Sequence, residues 1–454
     1  MIAQERASRV LMGLGAIGIG IVMAATAMSV ADEQTSAFVG VAKCEITPET
    51  PVRMYGYASR RTESQGVAGR LKATAVAIGK DNGPGPAVLL AVDNGSVPRA
   101  IRDEVYARIS VTHAIRPERF VLCNAHNHSG PNLKGMASIE GTQHEHLSQY
   151  ADLLTDRLVS VVLKALASRK PGTLAWTQGS VGFAANRRVL IDGKWSGFGA
   201  VPEGAVDHSL PVIRVADSQG RLMAVVVNYA CHNTTLRGNF KEIHGDWAGC
   251  AQAAIERAHP DAVAMITIGC GADSDPCPHD TTELCEQHGG ALAEEVSRLL
   301  EEGEWTPLPG TITTKNRFLE ASYVERKADD QAVVVPSPSG GAPPREQHDF
   351  ETFQITTWTF GDKLAMVFLS DEVVVDYVLR LKEELDGSRL WMSAYTNDVS
   401  RYIVSKRLIG EGGYEVRNSL STQLTFGNPE ELAPAMEDRI VEAVKALLPE
   451  SFGR

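Results

Sequence analysis

Apolar positions recur along the chain with two periods. Phe38-Val-Gly-Val-Ala-Lys-Cys44 alternates with period two, as a half-buried strand does. Ala73-Thr-Ala-Val-Ala-Ile78 and Ala87-Val-Leu-Leu-Ala-Val92 read as strands parted by the turn-rich Asp81-Asn-Gly-Pro-Gly-Pro86. Phe120-Val-Leu-Cys-Asn124, Leu222–Tyr229 and residues 262–268 are short buried strands, and 353–360 with 363–369 form a hairpin around Gly361-Asp362. Helical spacing appears over 100–114, 246–259, 281–300, 372–385 and 437–448. It is clearest over 144–167, where Leu147, Tyr150, Leu153, Leu154, Leu158 and Val161 share one side. This alternation predicts an α/β fold: a mixed, largely parallel sheet core with flanking helices in a single large domain. Residues 325–349 break the pattern with Pro-Ser-Pro-Ser-Gly-Gly-Ala-Pro-Pro at 336–344. They read as a mobile loop, with a lid over the site as the alternative.

The start of the chain follows another rule. Arg6 and Arg9 precede an apolar run over 11–28, and Ser29-Val30-Ala31 places small residues where a signal peptidase cuts. Residues 1–31 are expected to be a signal peptide and 32–454 the exported domain, periplasmic or secreted. An uncleaved anchor is the alternative, countered by glycines at 13, 15, 18 and 20. Apolar residues at 43% and charged ones at 22% suit a globular core, not disorder. The 44 basic and 56 acidic residues leave a net charge of −12, which opposes nucleic-acid binding. No Lys/Arg run offers more than peripheral contact with an anionic membrane. The seven cysteines permit disulfides outside the cell. Cys270, Cys277 and Cys285 are the closest set, and a zinc knuckle with His279 and His288 is a weaker reading of the same cluster.

Polar residues gather where strands end. Asn124 leads into Ala-His126-Asn127-His128-Ser-Gly, Tyr229 into Ala-Cys-His232-Asn, residue 268 into Gly-Cys-Gly-Ala-Asp273-Ser274-Asp275-Pro, and residue 369 into Ser-Asp-Glu372. Ligands of α/β proteins bind beyond the carboxyl ends of strands, so one shared cleft is expected there. Imidazoles with carboxylates suit Zn²⁺, and an open position on such a metal suits hydrolysis of an amide or ester. His126 and His128, two apart on extended backbone, are both candidate ligands, or one ligand and one donor to substrate. His144-Glu145-His146 opens an amphipathic helix and reads as solvent-exposed. The chain lacks a G-x-S-x-G elbow, an H-E-x-x-H pair and a phosphate-binding P-loop.

Asn124-Ala-His-Asn-His-Ser-Gly-Pro131 resembles the T-H-T-H-S-G-P motif of the neutral/alkaline, non-lysosomal ceramidase family. Further segments resemble that family in the same order: Met54-Tyr-Gly-Tyr-Ala58, Asn186-Arg187-Arg188, Asn228-Tyr-Ala-Cys-His232, Gly245-Asp246, Ser370-Asp-Glu372, Ser400-Arg-Tyr402-Ile-Val and Gly412-Gly-Tyr-Glu415. The resemblance implies a zinc amidohydrolase. It implies His126, His232, Glu372 and Tyr402 as metal ligands, His128 beside the metal against the reacting group, and Arg187 or Arg188 at the oxyanion or substrate. Asn127 and Ser274 are candidate substrate contacts. The sequence departs from the family at G-D-x-S-P, where the essential serine is replaced by Asp275 and Ser274 lies one place early. An acid there, Asp275 or Asp273, suits orienting or deprotonating water, or binding a substrate amine. The family also continues into a C-terminal β-sandwich that has no counterpart in this sequence.

The expected protein is thus an exported, ceramidase-like zinc hydrolase cleaving an amide of a small N-acylated substrate, such as an acylated lipid, amino sugar or amino acid. An esterase or other metallohydrolase on the same scaffold is one alternative. A non-catalytic binding protein with structural zinc is the other.

Overall fold

A computed structural model describes residues 36–321, 352–419 and 434–454; the expected leader and the segment 325–349 lie outside the described residues. The first half of the chain forms β1 (Ser36–Glu45), β2 (Lys72–Ile78), β3 (Ala87–Val92), α1 (Arg99–Ser110), β4 (Phe120–Asn124), α2 (Gly141–Ala167), β5 (Lys170–Ser180), β6 (Ala184–Ile191), β7 (Lys194–Val201), β8 (Ser209–Asp217) and β9 (Leu222–Tyr229). There follow α3 (Asp246–Ala258), β10 (Val263–Ile268), β11 (Ser274–Pro276), α4 (Thr282–Glu302), β12 (Thr306–Leu308) and β13 (Thr313–Glu320). The last part holds β14 (Thr352–Phe360), β15 (Leu364–Leu369), β16 (Glu372–Val373), α5 (Asp376–Glu384), β17 (Leu390–Ser393), β18 (Tyr402–Ile403) and, after two short helical stretches, α6 (Ala435–Leu447).

The main sheet runs β10-β9-β8-β5-β1-β2-β3-β4, with β12 on β5. Its parallel pairs, β3–β4 and β9–β10, lie at the two ends, where helices α1 and α3 make the crossovers. Between them the pairs are antiparallel, so the sheet is mixed with less parallel character than the strand–helix alternation suggests. Part of that antiparallel character comes from β1–β2 and β2–β3, and part from 170–217, which the periodicity passes over. There the chain reverses through short turns, as antiparallel neighbours allow.

A second sheet, β13-β14-β15-β17, packs on the first. In β15, Leu364, Met366 and Phe368 point to the layer between the sheets, and Ala365, Val367 and Leu369 to the opposite side, where Tyr377, Leu381 and Ile440 of α5 and α6 cover them. In β3, Leu89 joins the inter-sheet layer while Val88, Leu90 and Val92 pack under α1 and α2. The two-residue period thus builds a helix–sheet–sheet–helix stack.

The helix expected over 372–385 starts only at Asp376. Asp371 sits in the left-handed region (φ 67°) and Glu372 pairs with Tyr402 as a parallel strand. β-Branched Val373 favours that extended start, and helical angles are in place by Val375 (φ −62°, ψ −27°). All seven cysteines are free thiols. His288 is held by its bond to Pro278 O (2.6 Å) and by stacking on Phe183, not by the neighbouring thiols.

Candidate metal centre and adjoining cavity

The two ends of the curled main sheet are joined by the chain after β17. Ala394 N–H donates to Ile268 O at the end of β10 (2.9 Å). Asn124 N–H donates to Tyr395 O (3.1 Å) and Asn397 N–H to Leu122 O (2.7 Å), both on β4. The loops after β4, β9, β10 and β15 therefore open onto one place. After β4, His126 adopts φ 52°, a conformation a non-glycine residue holds only when its surroundings fix it. Here Ala125 N–H and His126 N–H donate to Val92 O (2.9 Å) and Asn94 O (3.0 Å). After β9, His232 N–H donates to Ser274 O (2.9 Å). After β15, the β16–β18 ladder sets Glu372 opposite Tyr402.

His126 Nδ1 lies 2.8 Å from Gly95 O and His232 Nδ1 lies 3.0 Å from Gly271 O. A carbonyl only accepts, so each Nδ1 carries a proton and each Nε2 is the atom turned into the cluster. Those Nε2 atoms converge on Glu372 Oε2, at 3.2 Å from His126 and 3.3 Å from His232. His128 Nε2 stands 3.3 Å from His126 Nε2. Burial pushes His128 well below and His232 below the ordinary imidazole value, so both are neutral. The neutral His232 thus turns an Nε2 lone pair toward the Glu372 carboxylate in a buried space. His232 Nε2 and Glu372 Oε2 have no hydrogen-bond donor. Leaving such atoms unpaired costs about 1–3 kcal/mol each, which a bound cation would remove. His126, His128 and His232 offer ligand atoms within 4.8 Å of one another. The donor set, imidazole nitrogens with one carboxylate, fits zinc.

A cavity of about 640 Å³ opens beside this cluster, lined by His128, Tyr402, Arg187 and Asp275 among others. Asp275 Oδ1 receives Arg187 Nη1 at 3.1 Å, and Oδ2 receives Arg237 Nη2 at 3.0 Å. Burial alone would raise its pKa, but the two guanidiniums hold it well below the usual carboxylate range. Arg187 also donates to Glu415 Oε1 (3.0 Å) and to the Tyr402 hydroxyl (3.2 Å). At its neighbour Arg188, beyond a register shift in β6, the guanidinium pairs with Glu411 (3.1 Å) and with the second oxygen of Glu415. Between the two arginines, only Arg187 reaches the cavity.

The other expected site residues lie behind the cavity wall. Asp273 is fully buried and accepts from Val375 N–H (2.9 Å) and Asn186 Nδ2 (3.2 Å); burial raises its pKa to about 6. Asn127 and Ser274 are also fully buried and do not line the cavity. His144 and His146 are half-buried, and His146 bonds Glu63 (2.8 Å).

Four contributors lie outside the expected site residues. Tyr395 packs its ring on His126 (4.4 Å between centroids) and brings its hydroxyl to 3.5 Å from His232 Nδ1. Tyr57 sets its ring edge-on to His128 at 5.1 Å. Arg237 lies five residues past His232 in an irregular turn, and Glu415 is a lone acid after two glycines. Tyr57 and Glu415 fall within the Met54–Ala58 and Gly412–Glu415 segments that carry the resemblance; nothing local marks Tyr395 or Arg237.

Fold, ligand cluster and cavity together define a mixed α/β protein with a candidate metal centre beside a cavity. The family model for the neutral/alkaline non-lysosomal ceramidase N-terminal domain matches residues 38–267, and the chain belongs to that family. A solved structure of a ceramidase complexed with C2 superposes with a TM-score of 0.68 at 17% identity, covering 91% of this chain and 76% of that one. The crystal structure of neutral ceramidase from Pseudomonas aeruginosa superposes with a TM-score of 0.68 at 16% identity, covering 92% and 74%. At such identities the likeness is one of fold. A search of curated proteins gives no match.

Proposed function

We propose that this protein is an exported, zinc-dependent amidohydrolase acting on an N-acylated substrate. The observation that carries the reading is the convergence of His126 Nε2, His232 Nε2 and Glu372 Oε2 in a buried space beside a cavity. In this reading His126, His232, Glu372 and Tyr402 hold the metal, which when bound polarises the scissile carbonyl and lowers the pKa of water. The chain's own groups do the rest. His128, neutral and facing the cavity, bonds the carbonyl oxygen of the substrate. Arg187, fixed by Glu415 and Asp275, places positive charge where negative charge develops on that oxygen.

Asp275 is ion-paired and weakly basic, which supports binding the departing amine over taking a proton from water. Asp273, Ser274, Asn127 and Arg188 support the shape of the site from behind. Export rests on the leader pattern at 1–31; among the described residues no helix is long and apolar enough to cross a membrane.

Turnover of matched N-acyl amides and O-acyl esters, with and without a chelator, tests the reading. Faster amide cleavage that stops on chelation supports it. Cleavage of esters alone makes the protein an esterase, and no turnover at full metal occupancy makes it a binding protein.

A further inference from the structure

The cavity contains an ion pair that cleavage of a simple amide does not require. Asp275 and Arg237 lie side by side, Oδ2 to Nη2 at 3.0 Å, and both line the cavity with His128. Arg237 comes from the loop after β9 and Asp275 from β11. Asp275 is held from the other side by Arg187. The Arg237 side chain keeps 28% of its exposure, on the cavity side, with the Tyr57 hydroxyl beside it. A guanidinium has five N–H donors, so Arg237 retains donors for a further acceptor. Elsewhere the cavity is lined by Phe198, Tyr414, Tyr57, Ala58 and Pro276, which suit an apolar acyl group.

We infer that the Asp275–Arg237 pair recognises the leaving half of an N-acylated α-amino acid, with Asp275 on the amine nitrogen and Arg237 on the free carboxylate. The inference rests on the amidohydrolase reading and names its substrate class. In an α-amino acid the nitrogen and the carboxylate are attached to one carbon, so two adjacent opposite charges on the protein meet two adjacent opposite charges on the product. A neutral amino alcohol answers only Asp275; an amino-acid amide leaves the Arg237 donors without a charged partner.

The reaction balances without a co-reactant other than water. The acyl C–N bond breaks and a C–O bond to the water oxygen forms. Both water hydrogens end on the nitrogen, giving a carboxylate and a zwitterionic amino acid from an anionic amide. Asp275 accepts hydrogen bonds from that nitrogen as it becomes an ammonium, and Arg237 holds the carboxylate throughout.

The test compares N-octanoylglycine, N-octanoylglycinamide and N-octanoylethanolamine on the full-length metal-loaded protein. The acid should show a kcat/KM at least about tenfold above both neutral compounds, the worth of one charge-assisted pair. In Arg237→Gln the acid-to-amide ratio should collapse toward one, and Arg237→Lys should restore part of it. Equal or better cleavage of the neutral compounds by the unaltered protein overturns the inference and leaves the amidohydrolase reading standing. If none of the three is cleaved, that reading fails. Calorimetry of the same compounds then decides the pair: tighter binding of the acid supports recognition, and equal affinities overturn it.

Discussion

Glu415 is the buried charge on which the arginines of the site depend, and its removal has a calculable cost. Its side chain is fully buried and accepts Arg187 Nε through Oε1 and Arg188 Nη1 through Oε2. In Glu415→Gln the shape is retained but two buried guanidiniums lose their shared counter-charge. Breaking a buried pair by removing one partner costs about 3–5 kcal/mol. Arg187 keeps Asp275 and the Tyr402 hydroxyl, and Arg188 keeps Glu411 and Gly412 O, so the loss belongs at the lower end of that range. With unfolding entropy near 2 cal/mol/K per residue, a chain of this length loses about 1 °C for each kcal/mol, so Tm should fall by about 3 °C.

Catalysis should suffer more than stability, because Arg187 loses one of the three partners that hold it at its proposed place by the reacting oxygen. Scanning calorimetry beside kcat measurements checks both. Glu411→Gln is the control: it pairs with Arg188 and Arg407, away from the cavity, and should lower Tm without the same loss of kcat. An unchanged Tm with unchanged kcat in Glu415→Gln would refute the claim that this acid organises the arginines.

Further expectations concern separate parts of the molecule. Asp93 is fully buried and its pKa is raised by burial to about 6, so the folded state binds its proton more tightly than the unfolded state does. Its contribution is therefore favourable below the unfolded value near 4 and is lost as pH rises through 6; Asp93→Asn should remove a slope of up to about 3 kcal/mol from urea-unfolding free energies measured across that window. Tyr402→Phe should lower zinc affinity about tenfold or more by competition with a chelating dye, because it removes a proposed ligand oxygen and the acceptor of Arg187. Asp275→Asn should keep its zinc but lose rate, and unchanged turnover would contradict its place at the substrate. Amino-terminal sequencing of the exported protein should begin at Asp32; an intact Met1 would contradict the cleaved leader.

How much of this was legible before folding depends on the range of the interaction. The strands and helices of 36–124 and 222–302 follow from local periodicity, and the structure places them within a few residues of the expected bounds. Among the strands of 170–217, β7 exposes Phe198 as well as Lys194 and Ser196, so its alternation is not one of core against solvent. The helix start at 372 is misjudged because the pairing of Glu372 with Tyr402, thirty positions away, overrides local propensity. In the site, the histidines and Glu372 stand at strand ends and are visible from that rule. Choosing Arg187 over Arg188 needs the register shift in β6 and the cavity lining, and finding Arg237 needs the tertiary contacts themselves.

The central claim is that the buried acceptors of His126, His232 and Glu372 exist to hold a metal. Elemental analysis of the purified protein with its His126→Ala and Glu372→Ala variants tests it, each variant first shown to be folded by circular dichroism. The account predicts about one zinc per chain in the parent and nearly none in either variant. A parent that neither carries nor takes up zinc, or folded variants that keep it undiminished, would contradict the account.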